Sequence, residues 1–309
     1  MDEKSADTRI QLTDGTIAQS DLGRTLFHEH IFLGMPGWNL DIKAPRFVRS
    51  EAMAQVVDKL QELKDHDCQT IIDPCPMDLG RDVEFIAEAA QRFFFNDTAT
   101  TEIYTEQDGI PFTFRHMPRE DIVELYMKEI VDGVGDTGIK AGVIKVASGS
   151  DPNNEYEQKM IGAGAEVSRL TGVPIISHTH GHSHGHEQVD VVEQNGGRSE
   201  CMVVGHSDGN ADPEYAISLA KRGAFVGFDQ FGLEFFVSDE VRIENLMAAV
   251  HAGYRDQLLI SHDHAICLLG RGAAIFAELA PQSSLIHIFE KIIPRLLELG
   301  LSKKGLPQS

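Results

Sequence analysis

Strand-like and helix-like patterns alternate along almost the whole chain, and that alternation limits the possible folds more than any other feature. Short apolar runs centre near residues 24, 69, 99, 142, 174, 202, 224 and 258. Between them lie helical periodicities: 50–65, with Met53, Val56, Leu60 and Leu63 on one face, then 83–92, and 118–132, with Ile122, Leu125, Tyr126 and Ile130 on one face. More follow near 155–171, 186–195, 212–222, 238–252 and 284–300. Apolar residues three and four apart make a helix that buries one side, and parallel strands need a crossover of that kind between them. Eight such units suit an α/β fold of the closed (β/α)8 TIM barrel type better than an open sheet. Ahead of the first unit, residues 10–19 alternate around Asp14-Gly15, which predicts a short N-terminal β-hairpin, expected as a lid-like ribbon. No Ser/Pro-rich linker or repeat divides the sequence, so residues 1–309 are expected to form one barrel domain.

Charge narrows the partners. Lys and Arg number 27 against 48 Asp and Glu, a formal charge of −21, which would repel nucleic acid and anionic membranes. No run of about eighteen apolar residues is present, and residues 1–9 lack the apolar stretch of a signal peptide, so a cytoplasmic protein is expected. Cys68, Cys75, Cys201 and Cys267 have no C-x-x-C spacing and read as reduced thiols. Cys267, close after Asp263, reads as a packing residue or one that faces a pocket. Small-molecule substrates remain.

Lys145 sits in the middle of the apolar run Ala-Gly-Val-Ile-Lys-Val-Ala, 141–147. Burying an ammonium there is costly, so this lysine must lose its charge or find an anion. Four other strand-like runs end in metal-ligand residue types: Phe27-His28-Glu29-His30, Ile175-Ile176-Ser177-His178, Val203-Val204-Gly205-His206 and Ile260-Ser261-His262-Asp263. A single histidine beside a strand is ordinarily a packing or surface residue, so the weight falls on the ordered set. Active sites of (β/α)8 barrels gather where the strands end, which would bring these distant residues together. Alternate strand residues share a face, so His28 and His30 are expected to point inward and Glu29 outward.

In order and context these runs resemble the phosphotriesterase family of the amidohydrolase superfamily, including its lactonase branch. Asp73-Pro74, Gly80-Arg81-Asp82 and Gly227-Phe228-Asp229 extend the match. The resemblance implies two divalent metal ions, with His28, His30 and Asp263 on the buried one and His178 and His206 on the exposed one. It also implies that Lys145, carboxylated to a carbamate, and a hydroxide bridge them. Imidazole and carboxylate ligands suit zinc, iron, cobalt or manganese, with zinc taken first. In such a site the hydroxide attacks a lactone or organophosphate ester and Asp263 carries the proton to the leaving oxygen. A lactonase with promiscuous phosphotriesterase activity is expected, and a homodimer; a dedicated phosphotriesterase or carboxylesterase, or a metal-binding barrel without turnover, would use the same ligands.

Around that core the resemblance is looser. Tyr104 aligns with a tyrosine that orients a lactone ring in the lactonase branch. Gln230 stands where that branch commonly has arginine. In the tract His178-Thr-His180-Gly-His182-Ser-His184-Gly-His186 the resemblance uses only His178, and the other four histidines are expected as loop residues. Residues 264–283, with Ile266, Leu268 and Leu269, are expected to receive an acyl chain or aryl group. Three departures stand out. Asp208-Gly209 inverts the usual glycine-then-aspartate order after His206, so an outer proton relay through Asp208 is expected to be shifted or lost. The chain stops at Ser309, about a helix short of the family's last helix. Residues 93–103, Phe-Phe-Phe-Asn-Asp-Thr-Ala-Thr-Thr-Glu-Ile, are too polar for a buried third strand, and a strand of poor quality is expected from about Thr98.

Overall fold

The computed structural model describes residues 9–93 and 95–301. A hairpin of β1 (Arg9–Leu12) and β2 (Gly15–Ala18) comes first. The chain then runs β3 (Arg24–Leu26), β4 (Glu29–Leu33), α1 (Arg49–Asp65), β5 (Cys68–Ile72), α2 (Val83–Phe93), β6 (Asn96–Thr101), α3 (Phe112–His116) and α4 (Arg119–Val131). It continues through β7 (Ala141–Ser148), α5 (Glu155–Thr171), β8 (Ile175–Thr179), α6 (Gly185–Gln194), β9 (Met202–Val204), α7 (Pro213–Lys221) and β10 (Phe225–Phe228). Last come α8 (Asp239–His251), β11 (Leu258–Ile260), β12 (His264–Leu268), α9 (Gly272–Leu279) and α10 (Ile293–Glu298). At α5 and α7 a side chain caps the helix start. The Asn154 side chain accepts from the Tyr156 and Glu157 amides at α5, and Asp212 accepts from Glu214 just before Pro213 opens α7.

Eight strands pair in the order β11-β10-β9-β8-β7-β6-β5-β3, each neighbouring pair parallel. β4 continues β3 beyond His28, β12 continues β11 beyond Asp263, and these two extensions pair in parallel, closing the ring. This is the (β/α)8 barrel that the alternation predicts.

The barrel has two apolar layers. Val56 and Leu60 of α1, Ile122 and Tyr126 of α4, and Ile144 and Val146 of β7 belong to the large core between strands and helices. Inside the ring Phe27, Val143, Ile176 and Val203 form a separate cluster, flanked by Ile72, Phe225 and Leu259. Each such side chain contributes roughly 1.5–3 kcal/mol on burial. The inner cluster sets the face of the residues that follow. Lys145 is two residues past Val143 and His178 two past Ile176, so both share the inward face one step nearer the strands' C-terminal ends.

The hairpin forms where expected but is not a lid. The Thr13 amide donates to the Asp97 carbonyl at 2.9 Å and Thr98 Oγ1 donates to the Gln11 carbonyl at 2.6 Å, both at the starts of strands. A Cβ at Gly142, the second residue of β7, would stand 2.5 Å from the Gln11 oxygen, so glycine is what lets the ribbon dock. The ribbon therefore plugs the floor of the barrel, the end away from the site.

The polar third strand is a real strand and begins at Asn96. Neighbouring groups satisfy most of its side chains: Asn96 Nδ2 donates to Thr70 Oγ1 at 3.0 Å and Thr100 Oγ1 to the Val143 carbonyl at 3.2 Å. The objection from sequence holds for its end only. Among the described residues Thr101 Oγ1 and both Glu102 carboxylate oxygens are buried without a hydrogen-bond partner. Glu102 also sits at φ 126°, a backbone region that favours glycine. Burial pushes its carboxyl well above the usual range, with the Lys145 charge opposing.

Glu102→Gly should therefore stabilise the fold, because it removes a partnerless buried carboxylate and an unfavourable φ, each costing about 1–3 kcal/mol. The net gain is expected to be about 2–4 kcal/mol after the space left behind is counted. A raised folded pKa means that the penalty is absent below the ordinary carboxylate range and grows as pH rises above it. Urea titrations should thus show a larger gain at about pH 8 than at about pH 5; a loss of stability at both would show that Glu102 is paired in solution.

Among the described residues no helix is long and apolar enough to cross a membrane. The sequence expectations about residues 1–8 and about the chain's end at Ser309 lie outside the described residues.

Candidate metal centre

All six side chains picked out as ligands meet at the C-terminal mouth. His28 lies at the β3–β4 junction, His30 in β4, Lys145 in β7, His178 in β8, His206 two residues after β9 and Asp263 between β11 and β12. Lys145 Nζ stands 2.8 Å from His28 Nε2, and His178 Nδ1 stands 2.8 Å from His206 Nε2. Asp263 reaches across them, with Oδ1 at 3.1 Å from His30 Nε2 and 3.6 Å from His28 Nε2, and Oδ2 at 3.8 Å from His206 Nε2. His206 and Asp263 adopt φ 55° and 53°, left-handed values that cost a non-glycine residue about 1–3 kcal/mol. The bends come two residues after β9 and three residues after β11.

Three carboxylates to which the sequence alone assigns no role hold the cluster in place. Asp229, just past β10, accepts from His28 Nδ1 at 2.7 Å and from His206 Nδ1 at 3.0 Å. Asp73, just past β5, accepts from His30 Nδ1 at 3.2 Å and from the Ile31 amide at 2.9 Å. A proton held at Nδ1 leaves the Nε2 lone pair facing inward, the tautomer that a metal ion needs. Glu29 does point away from the cluster, as its place in the strand implies, but it is fully buried. It accepts from Ser261 Oγ at 2.7 Å, His262 Nδ1 at 2.7 Å and the His264 amide at 3.0 Å, and so clamps the loop carrying Asp263. The signal in the sequence is the placing of Asp73 and Asp229 one residue after strands whose neighbours carry the histidines.

The electrostatics fit a cation. Burial lowers the Lys145 ammonium to about 8, although Asp263 and Asp229 pull it upward. Burial and the Lys145 charge lower His28 to about 4, so its imidazole is neutral at pH 7. His178 is pushed well below its ordinary value by burial and by His206. Burial raises the Asp263 carboxyl, but the charges of His206 and His28 and the His30 hydrogen bond outweigh it and keep the group ionised. Burial lowers His30 and His206 too, but the hydrogen bonds to Asp263 and Asp73 outweigh it and raise His30 well above its ordinary value, and the Asp229 and Asp263 charges raise His206, so these two rings must release a proton before they join neutral His28 and His178 as a donor set for a divalent ion. Among the described residues His28, His30 and Asp263 form one group of compact ligand atoms, and His28, His206 and Asp229 and His30, Asp73 and Cys75 form two more.

The surroundings match the sequence expectations unevenly. Tyr104 Oη lies 3.1 Å from both His178 ring nitrogens, at the edge of the cluster. Asp208 is turned away: its carboxylate is buried against Arg242 at 2.6 Å and accepts from the Gln230 amide at 3.1 Å. His180 pairs with Gln107, His184 lies 3.6 Å from Glu187 and His186 pairs with Ser218, so these three stay out of the cluster. Ile266, Leu268 and Leu269 line a cavity of about 570 Å³ against Trp38, Phe47 and Ala52. None of the six clustered residues borders it; Gln55 and Lys59 of α1 and Ser283 also line it, so this mixed space lies on the α1 side of β12, behind the cluster. Cys267 is buried in the same wall, and all four cysteines are free.

Comparison with known proteins gives one answer. The phosphotriesterase family model matches residues 8–308. An aryldialkylphosphatase of Saccharolobus solfataricus is 30% identical over 294 residues, spanning 94% of this chain and 92% of that protein. An organophosphorus hydrolase from Deinococcus radiodurans superposes with a TM-score of 0.93 at 31% identity, covering 99% of this chain and 96% of the other. A mutant PTE-like lactonase from the same organism gives 0.92 at 31% identity, covering 97% and 96%. With the match running nearly end to end, the chain belongs to the phosphotriesterase family and is a metal-dependent hydrolase acting on ester or phosphoester bonds.

Proposed function

We propose that this hydrolase is a binuclear lactonase with side activity on phosphotriesters. The observation that carries the reading is the convergence of His28, His30, Lys145, His178, His206 and Asp263, with the Lys145 amine 2.8 Å from His28 Nε2. His28, His30 and Asp263 would hold one ion and His178 and His206 the other, with carboxylated Lys145 between them and zinc as the first metal to test. Two such ions, when bound, generate hydroxide at neutral pH and polarise a C=O or P=O group. Asp263 takes the proton released by the nucleophile and returns it to the leaving oxygen, so one O–H bond breaks as the other forms. The layer of Phe27, Val143, Ile176 and Val203 beneath keeps water from entering below. Tyr104, beside His178, is placed to orient a lactone ring. Exposed Leu40 and Ile42, flanking an Asp41 that pairs with Arg271, offer apolar surface for the homodimer expected from sequence.

Metal analysis after reconstitution should return about two divalent ions per chain. The loaded chain is then assayed on alkyl lactones, an aryl ester and a dialkyl aryl phosphate. Higher kcat/KM on a lactone than on the phosphate supports the lactonase reading. The reverse order makes it a dedicated phosphotriesterase, the activity for which the Saccharolobus relative is named. Two bound ions with no turnover of anything would leave a metal-binding barrel.

A further inference from the structure

His182 belongs to a histidine-rich stretch that the proposed reaction does not use, yet it is built into the wall of the site. Its Nε2–H donates to Gln230 Oε1 at 2.9 Å, and Gln230 Nε2 donates to Asp263 Oδ2 at 3.2 Å. The two contacts fix the amide's orientation, because the oxygen facing His182 leaves the NH2 group facing the carboxylate. The backbone of Gln230 is pinned too, its amide donating to Asp208 at 3.1 Å. Several features serve to seat the imidazole. A Cβ at Gly209 would stand 2.1 Å from the His182 ring, so the ring fills a recess that glycine alone leaves open. His182 holds φ 58°, Asn210 Nδ2 donates to its carbonyl at 3.1 Å, and Phe236 lies against the ring with centroids 5.1 Å apart.

We propose that His182 and Gln230 act as a positioning pair for Asp263. The inference rests on the reading of Asp263 as the group that accepts and returns the proton. Of the two carboxylate oxygens, Oδ1 faces His30 and His28, while Oδ2 is the one that Gln230 holds. An amide N–H on Oδ2 fixes the direction of the carboxylate, so the proton that Asp263 has accepted is handed to the leaving oxygen from one set orientation. A leaving alkoxide needs that proton, whereas an activated aryl oxide departs without it. The pair should therefore matter for alkyl lactones and little for activated aryl esters.

His182→Phe keeps the ring's bulk and donates nothing. In the metal-loaded chain it is expected to lower kcat on an alkyl lactone about 10- to 100-fold, with KM and metal content unchanged and little effect on an activated aryl ester. His182→Gln restores an N–H donor and is expected to recover most of the loss. Equal losses in the two variants, equal losses on both substrates, or a fall in bound metal that tracks the rate would each overturn the proposal. A readout independent of turnover is the side-chain amide NMR resonance of Gln230, assigned by its disappearance in Gln230→Leu. It should be protected from exchange in the parent chain and in His182→Gln and lose that protection in His182→Phe. An unchanged resonance in His182→Phe overturns the pairing whatever the rates. If the loaded parent chain hydrolyses no substrate, the reading of function falls while the resonance still decides whether the pair exists.

Discussion

Asp263→Asn should lower kcat on an alkyl lactone by about a hundredfold or more, the range expected when a general acid–base group is removed. Asparagine keeps the shape of the side chain and can still occupy the space between His30 Nε2, at 3.1 Å from Oδ1, and Gln230 Nε2, at 3.2 Å from Oδ2. It loses the negative charge that the neighbouring imidazoles stabilise and the lone pairs that receive a proton. KM should change little, because the lost interaction belongs to the transition state. Steady-state kinetics and metal analysis on the same preparation separate two effects. A large fall in rate at constant metal content identifies a proton carrier, and a parallel fall in both identifies a ligand alone. Retention of more than about a tenth of the parent rate would remove Asp263 from the proton path.

Lys145→Ala is expected to be as damaging, for a different reason. The lysine is 2% exposed, and its Nζ meets His28 Nε2 at 2.8 Å in the middle of the cluster. Alanine leaves a buried space lined by histidines with no anion between them, so the chain should bind fewer than two ions and lose most of its activity. Formate, acetate or propionate should restore part of the rate, since a small carboxylate fits the space and supplies the missing charge. The parent lysine offers a second check. Only the neutral amine reacts with carbon dioxide, and its pKa of about 8 means that this form grows as pH rises through that value. Reconstitution of the metal-free chain with metal at a fixed concentration of dissolved carbon dioxide should thus be faster at about pH 9 than at about pH 6.5. Full metal content and full rate in Lys145→Ala would end the bridging hypothesis.

Much of the fold and of the ligand cluster is legible in the sequence because the barrel repeats one rule. A side chain two residues beyond an inward apolar residue also points inward, which is how Val143 leads to Lys145 and Ile176 to His178. Relations between strands that are remote in sequence carry no such signal. Asp229 serves His28 across 201 residues, and its place one residue after a strand does not say which histidine it serves. The polar third strand looks unbuildable from its own residues for the same reason: the Gln11 and Val143 carbonyls that accept from Thr98 and Thr100 lie on other elements. The hairpin shows the complementary failure. Its turn chemistry is local and legible, whereas its docking on β6 and β7 depends on Gly142 and is not.

The pairing of β4 with β12 carries a consequence for how the molecule comes into being. The His28 amide donates to Ser261 Oγ across 233 residues, and Asp263 closes on His30 across the same separation. During synthesis the first two histidines emerge early and must wait until nearly the whole chain has left the ribosome before their carboxylate partner arrives. Until then the sheet has two open edges, β3/β4 and the strand most recently made, able to pair with other chains. Contacts spanning so much sequence form late and slowly. An ion gripped by His28, His30 and Asp263 would ratchet that last step, holding the two ends of the sheet together once they meet and making metal supply a determinant of how much newly made protein escapes aggregation.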